Sequence, residues 1–155
     1  MEEKLENPHY YRGVFISRFA LMETTLDNWL SSNFSDDINK RIQLIELLID
    51  RLTFEAKRTA VKTLLEKRAK KNGFVKTKNN RWSHSTLLDN LRFINEYRIY
   101  FAHYAMQDKT CTHERLVGLL QMRDNKNVKW ISKIQYDELM SKISQCMMDF
   151  MITYA

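Results

Sequence analysis

Residues Leu87–Met106, LLDNLRFINEYRIYFAHYAM, decide the fold, because they predict one long helix that carries a charge on its apolar face. At about 100° per residue, that face consists of Leu87, Leu91, Ile94, Phe101, Ala102 and Ala105. Arg98 falls on the same face, where a charge is costly unless it is paired or faces a polar site. His103 follows five residues later, and histidine titrates near neutral pH. We therefore look for function in this helix first.

The composition favours a helical protein. Three glycines and one proline in 155 residues leave few positions for tight turns. The length suits one core, so we expect a single domain over residues 1–155. The prediction is an all-α fold, an antiparallel bundle of four to five helices, with a small β-hairpin before the last helix.

The chain divides into segments that give this bundle. The helices are predicted at Tyr11–Asn33, Ile38–Leu48, Glu55–Lys71, Leu87–Met106 and Asp137–Tyr154. In the second helix we expect Ile42, Ile45 and Leu48, followed by Leu52, to point inward. Thr86 and Asp89 resemble a capping box for the fourth helix. Leu116–Met122 and Val128–Ile134 are β-compatible and flank turn residues at 123–127, which predicts the hairpin.

Several classes of protein are disfavoured. Met1–Tyr10 lacks the apolar core of a secretory signal, and no apolar run approaches the ~20 residues of a membrane span. We therefore expect a cytoplasmic protein without membrane contact. Cys111 and His113 supply two metal ligands where zinc needs three or four, so no metal and no cofactor is predicted.

The net charge of +6 is concentrated in one segment. Residues 57–81 hold ten basic residues and one acid, Glu66, so this segment carries +9 and the rest of the chain −3. Such concentration is typical of proteins that bind a polyanion. The alternative is a solvated helix face followed by a lysine-rich loop. In the helix Glu55–Lys71 we expect the basic side chains, Lys57 among them, to point outward and the apolar ones to be buried: Ala60, Val61, Leu64 and Leu65.

Arg98 and His103 each have a structural explanation. Arg98 could bridge two helices through an acid such as Glu23 or Asp27, and His103 could bond to a carbonyl. Together they concentrate polar chemistry in one helix. Residues five apart point about 140° apart on a straight helix. A local distortion, a second subunit, or closure of the irregular Phe74–Ser85 loop would be needed to bring them to one spot.

The run Ile94-Asn95-Glu96-Tyr97-Arg98-Ile99-Tyr100-Phe101-Ala102-His103 resembles the signature helix of the HEPN superfamily (higher eukaryotes and prokaryotes nucleotide-binding domains). Members carry an arginine and a histidine separated by four to six residues, and four residues separate Arg98 from His103. An aliphatic-Asn-Glu run before the arginine also recurs in the family. The chain departs from the family at Ile99, where members usually carry a polar residue.

The resemblance implies a dimeric helical bundle that cleaves RNA without a metal, as a toxin or a phage-defence component that an antitoxin protein could partner. Arg98 and His103 would be catalytic, with Asn95, Glu96 and Tyr100 in support. An imidazole can transfer protons, and a guanidinium can hold phosphate oxygens. RNA would be bound by the basic segment, through Lys67, Arg68, Lys70, Lys71, Lys76, Lys78 and Arg81, with Trp82 or Tyr104 stacking on bases. The alternative is a non-catalytic HEPN-like module that binds RNA, a nucleotide or a protein.

Overall fold

The protein is a bundle of five helices with a small sheet inserted before the last helix, seen in a computed structural model that describes residues 5–107, 111–120 and 127–155. The helices are α1 (Pro8–Ser32), α2 (Ile38–Leu47), α3 (Phe54–Lys71), α4 (Ser85–His103) and α5 (Lys133–Met148). The strands are β1 (Ala105–Met106), β2 (Val117–Leu120) and β3 (Val128–Ile131). The predicted fold class is confirmed, with β1 as an additional strand.

Aromatic contacts show how the helices pack around α1. Phe15 stacks on Phe101 of α4 at 4.5 Å between ring centroids. Tyr11 meets Tyr136 of α5 at 5.1 Å, and Trp29 meets Phe150 at 5.5 Å. One pair joins the starts of the two segments and the other joins their ends, so α5 runs parallel to α1.

The other two contacts that fix directions come from Phe19. Its ring lies 5.1 Å from the ring of Phe54, at the start of α3, and 5.8 Å from the guanidinium of Arg98 in α4. Further along α1, Trp29 lies under Arg68, near the end of α3. Because Phe19 faces Arg98 while Phe15 faces residue 101, α4 runs antiparallel to α1, and α3 runs parallel to it.

Most helices begin at a residue whose side chain caps them, and α4 is different. Asn7, Asp37 and Thr53 each accept a backbone N–H of the first turn of α1, α2 and α3. The N-cap of α4 is His84, which makes no side-chain cap bond. The predicted capping box at Thr86 is therefore wrong. Its acid, Asp89, pairs instead with Arg81.

α3 corrects one expectation about the basic segment. Its apolar residues Val61 and Leu65 are buried as predicted, but Lys57 is also buried, with 3% of its surface exposed. Its ammonium donates to Glu23 at 2.9 Å and to Asp27 at 2.8 Å, both in α1. Lys57 therefore holds α3 against α1 and does not belong to the solvated face.

α2 lies on the bundle with its apolar side chains largely uncovered. None of its residues is buried. The inward positions predicted for Ile42, Leu48 and Leu52 are wrong, since these side chains are exposed, and Ile45 is half-buried. Phe34 and Ile38 are exposed as well. The apolar residues at three- to four-residue spacing are called the α2 stripe: Phe34, Ile38, Ile42, Ile45, Leu48 and Leu52.

The chain leaves α4 earlier than its sequence predicts. The helix ends at His103, and Tyr104 is extended and leads into β1. β1, β2 and β3 form an antiparallel sheet in that order, and the predicted turn at 123–127 lies mostly outside the described residues. Gly118 faces the ring of Trp130 so closely that a Cβ there would lie 2.7 Å from it.

The last helix begins four residues before its predicted start. Ser132 and Gln135 form a capping box ahead of α5, which therefore takes residues 133 and 134 from the predicted strand. Beyond Met148 the chain continues as a π-helix, Asp149–Thr153. The carbonyl of Tyr154 accepts hydrogen bonds from Trp29 and from Arg68, so the end of the bundle is tied to α1 and α3.

Candidate functional site

α4 is continuous through both candidate catalytic residues. Arg98 lies inside the helix and His103 is its last residue. No local distortion turns them toward each other, so the two side chains leave the helix about 140° apart. Within the described chain, no hydrogen bond or ion pair involves either side chain. One protomer therefore does not bring Arg98 and His103 together.

Arg98 sits at the edge of the buried face of α4. It is half-buried between Ile94 and Phe101, which are fully buried, and its guanidinium lies against the ring of Phe19. The expected bridge from Arg98 to Glu23 or Asp27 is not present, because Lys57 binds both acids. The guanidinium is thus packed on one side and has no acidic partner in the described residues.

His103 is exposed at the end of α4, beside an arginine that the sequence did not single out. Arg12 of α1 points a guanidinium nitrogen at the carbonyl oxygen of Ala102, 3.5 Å away. This weak contact places a second guanidinium one residue from the histidine. Nothing in the local sequence marks Arg12, because its position depends on how α1 crosses α4.

An apolar strip separates the two candidate residues on the surface. Ile99 is 41% exposed and Ala102 is exposed, both on α4. Ile16 of α1 is 38% exposed, four residues after Arg12 and so on the same side of α1. Arg12 contacts Ala102 and Phe19 contacts Arg98, and Ile16 lies between Arg12 and Phe19 in α1, so it follows that Ile16 is near this part of α4. We call Ile16, Ile99 and Ala102 the apolar strip.

The three supporting residues divide between the two sides of α4. Asn95 precedes Arg98 by three residues and shares its side of the helix. Its Oδ1 atom is buried without a hydrogen-bond partner among the described residues, so a carbonyl-type acceptor is left unused beside the arginine. Glu96 and Tyr100 instead lie on the side of His103, and the ammonium of Lys129 is 3.8 Å from the centre of the Tyr100 ring. The histidine side therefore also carries a cation.

The predicted RNA-binding residues lie at the other end of α4. α3 is antiparallel to α4, so its last turn sits beside the start of α4. Five of the seven predicted residues are exposed lysines there, which we call the lysine-rich end: Lys67, Lys70, Lys71, Lys76 and Lys78. α4 rises about 1.5 Å per residue, so about 27 Å separates its start from His103.

The other two predicted RNA-binding residues have structural partners. Arg68 donates to the carbonyl of Tyr154 and to the side chain of Asn33, and its guanidinium covers Trp29. Arg81 pairs with Asp89 and so holds the loop against α4. Both arginines position the lysine-rich end, whatever further contacts they make.

Trp82 gives the lysine-rich end a half-buried aromatic surface. The ammonium of Lys76 lies 5.6 Å from its ring centre. The ring stacks on His84 at 5.9 Å with 11° between the planes. The turn that carries Lys78 is closed by a hydrogen bond from the backbone N–H of Thr77 to the carbonyl of Arg81. Part of the loop predicted to close over Arg98 is thus fixed beside the start of α4.

His84 is the most deeply buried of the histidines. Only 2% of its surface is exposed, and its Nε2 atom is without a partner in the described part of the chain. Burial lowers the pKa of His84 below its ordinary value, Lys62 lowers it further, and Glu66 opposes the shift. The imidazole of His84 is therefore harder to protonate in the folded protein than in the unfolded chain.

This burial predicts a pH-dependent stability. The unfolded chain protonates His84 near its ordinary pKa of about 6.5, whereas the folded protein resists protonation. The free energy of unfolding should be steady above that value and fall below it, by up to about 1.4 kcal/mol per pH unit. Urea unfolding between pH 7.5 and 5 should show a shallower fall in His84→Phe than in wild type. Equal slopes in the two proteins would contradict the assignment.

The chain matches no protein-family model, no curated protein and no solved structure with which it was compared. Across residues 5–107, 111–120 and 127–155, no helix is both long and apolar enough to cross a membrane. The same residues contain no group of three or more His, Cys, Asp or Glu side chains that could hold a metal ion.

Proposed function

We propose that the protein is a metal-independent endoribonuclease that acts as a homodimer, with Arg98 of one copy and His103 of the other at each site. One observation carries the proposal: a straight α4 directs the two side chains about 140° apart, on either side of an exposed apolar strip. Covering that strip with a second copy would remove Ile16 and Ile99 from water, which is favourable. An isologous contact there brings the arginine side of one helix to the histidine side of the other.

The residues supply what RNA cleavage requires. Attack of the 2′-oxygen on the adjacent phosphate needs a base for the 2′-hydroxyl proton and an acid for the leaving 5′-oxygen. The imidazole of His103 can perform one of these transfers at neutral pH. The guanidinium of Arg98, which has no acidic partner in the described residues, can hold two phosphate oxygens and stabilise the charge that develops. The products are a 2′,3′-cyclic phosphate and a 5′-hydroxyl.

Ile99 fits this proposal in a different way from the polar residue usual in the HEPN family. Its side chain leaves α4 about 100° from that of Arg98 and about 40° from that of His103. An exposed isoleucine beside a catalytic arginine would contribute to the contact between copies. The family resemblance further suggests a toxin or a phage-defence component, controlled by an antitoxin protein.

Removing the imidazole tests the proposal directly. A single-stranded RNA of about 20 nucleotides should be cleaved in EDTA by wild type, with a 2′,3′-cyclic phosphate on the 5′ fragment. His103→Asn should lose about 10²–10⁴-fold in rate, because it removes the proton transfer. Arg98→Ala should lose about 10²–10³-fold, because it removes the charge stabilisation. His113→Asn, at another exposed histidine, should cleave like wild type.

The folded state of each variant is checked by circular dichroism and thermal melting. Equal cleavage by wild type, His103→Asn and Arg98→Ala would refute the proposal, and so would cleavage that EDTA abolishes. An RNA with 2′-deoxyribose at the cleaved position should resist, because it lacks the attacking hydroxyl.

A second candidate function is a non-catalytic module that binds a protein partner. The α2 stripe favours it, since exposed contiguous apolar residues are typical of protein-binding surfaces. This function requires no chemistry at His103. It predicts no RNA cleavage by wild type, together with a partner whose binding is lost in Ile42→Glu and retained in Ile134→Glu, at an exposed isoleucine of α5.

A further inference from the structure

We infer that the lysine-rich end is a docking site for single-stranded RNA that is separate from the site of cleavage, so that a substrate must be long enough to occupy both. The inference rests on the proposed ribonuclease function for its second half. The first half, RNA docking at this end, depends only on the charges and the aromatic ring at this surface.

The positive charge of the lysine-rich end favours a polyanion. The five lysines of the lysine-rich end are all exposed, and among the described residues none of them forms an ion pair with an acid. The one acid in the segment, Glu66, is half-buried and forms no ion pair with any of these lysines in the described part of the chain. Five unpaired ammonium groups around one helix end attract a phosphate backbone.

The loop beside the start of α4 holds an aromatic ring among these cations. Arg81 is paired with Asp89, and the ring of Trp82 is stacked on the buried His84, so this aromatic surface is held in place before any ligand arrives. The ammonium over its ring belongs to Lys76, whose side chain is exposed. Aromatic rings interleaved with cations are typical of sites for single-stranded nucleic acid, because bases stack on the ring while the backbone meets the cations. RNA is therefore favoured over an acidic protein.

The length of α4 separates the lysine-rich end from the proposed site of cleavage. His103 is about 27 Å from the start of α4, and Ile99 is about 21 Å from it. In each copy, the lysine-rich end therefore lies about 20 Å or more along α4 from Ile99, the centre of the proposed contact between copies. At a stacked spacing of about 3.4 Å per nucleotide, RNA needs roughly six to eight nucleotides to cover that distance.

Binding is tested first, in the His103→Asn background, so that the RNA survives. A labelled 12-nucleotide RNA is titrated by fluorescence anisotropy across salt concentrations. Replacing Lys70, Lys71 and Lys78 with glutamine should weaken binding and flatten the slope of log K against log salt by about 2, since each lost phosphate contact contributes about 0.7. Replacing the same three residues with arginine keeps the charge and should keep the slope.

Stacking and charge are separated by a second variant. Trp82→Leu should weaken binding about fivefold or more while leaving the salt slope unchanged, because stacking releases no counterions. Glutamine variants that bind the 12-mer like wild type would overturn the inference. Equal binding of RNA and poly-glutamate by wild type would overturn it as well.

Cleavage is tested next, with His103 intact. Wild type should cleave the 12-mer with a much higher kcat/KM than a trinucleotide, and the glutamine variant should lose that advantage. Equal kcat/KM for both lengths in wild type would overturn the requirement for two sites. Loss of binding in the glutamine variant, with no cleavage by wild type of any RNA, would support the docking site and refute the ribonuclease proposal.

Discussion

Replacing Lys57 with methionine is expected to destabilise the protein by about 3–5 kcal/mol, because it leaves the buried carboxylate of Asp27 and the half-buried one of Glu23 without their cation. Lys57 has 3% of its surface exposed, and its ammonium binds Glu23 and Asp27. One oxygen of Asp27 already lacks a hydrogen-bond partner in the described structure. Methionine has a similar length, so the loss comes from charge and hydrogen bonding and not from a cavity.

The pKa values of the cluster give this prediction a pH dependence. Burial would lower the pKa of Lys57, but its bonds to Asp27 and Glu23 outweigh burial and hold the pKa above its usual value. Burial raises the pKa of Asp27, while Lys57 opposes that rise. Without Lys57 the pKa of Asp27 should rise further, so the folded variant would bind a proton more readily than the unfolded chain. The destabilisation should therefore be smaller at pH 5 than at pH 7.

Urea unfolding followed by circular dichroism measures both effects. Lys62→Met, at an exposed lysine of the same helix, is the control and should change stability by less than about 0.5 kcal/mol. A loss below about 1 kcal/mol in Lys57→Met would show that the cluster is not a buried charge centre. Replacing Lys57 together with both acids by apolar residues should recover much of the loss.

Mixing two inactive variants is expected to restore about a quarter of the wild-type ribonuclease activity. Arg98→Ala and His103→Asn each damage every site in their own homodimers. When the two chains assort randomly, half of the dimers are mixed, and one of the two sites in a mixed dimer receives an intact Arg98 and an intact His103. The other site of that dimer lacks both.

Co-expression with two affinity tags gives the mixed dimers, and cleavage of a 12-nucleotide RNA in EDTA measures the recovery. The control pairs His103→Asn with the double variant that lacks both residues, which assembles no complete site and should stay inactive. A mixture no more active than its separate components would place both residues of a site in one chain, against the geometry of a straight α4.

The apolar side chains of α1 recur every three to four residues in the sequence, and this periodicity alone indicates its buried face. Phe15, Phe19, Met22 and Leu26 are all buried, because a stripe at three- to four-residue spacing has to be covered in a single-domain bundle. The same kind of periodicity does not indicate burial in α2. Its spacing is equally regular, but periodicity shows which face is apolar and not whether the rest of the chain is large enough to cover it.

The site could be predicted only in part for a related reason. Sequence indicated Arg98 and His103 as residues of interest, and helix geometry indicated that they diverge. It could not show that Lys57 would bind the acids expected for Arg98, or that Arg12 would lie beside His103. Both depend on the order in which helices pack around α1, and residues 30 or more positions apart give no local signal of that order.

The uncovered α2 stripe also sets the order in which the protein opens. A helix without a buried residue can detach from the bundle at a small cost in buried apolar area, so its amide protons should exchange through local opening long before those of α1 and α4. Its N-cap at Asp37 and the short 3₁₀ helix that follows α2, Ile49–Arg51, then act as hinges. A ligand or second chain that covers the stripe would slow that exchange, and protection of these ten amides becomes a direct report of assembly.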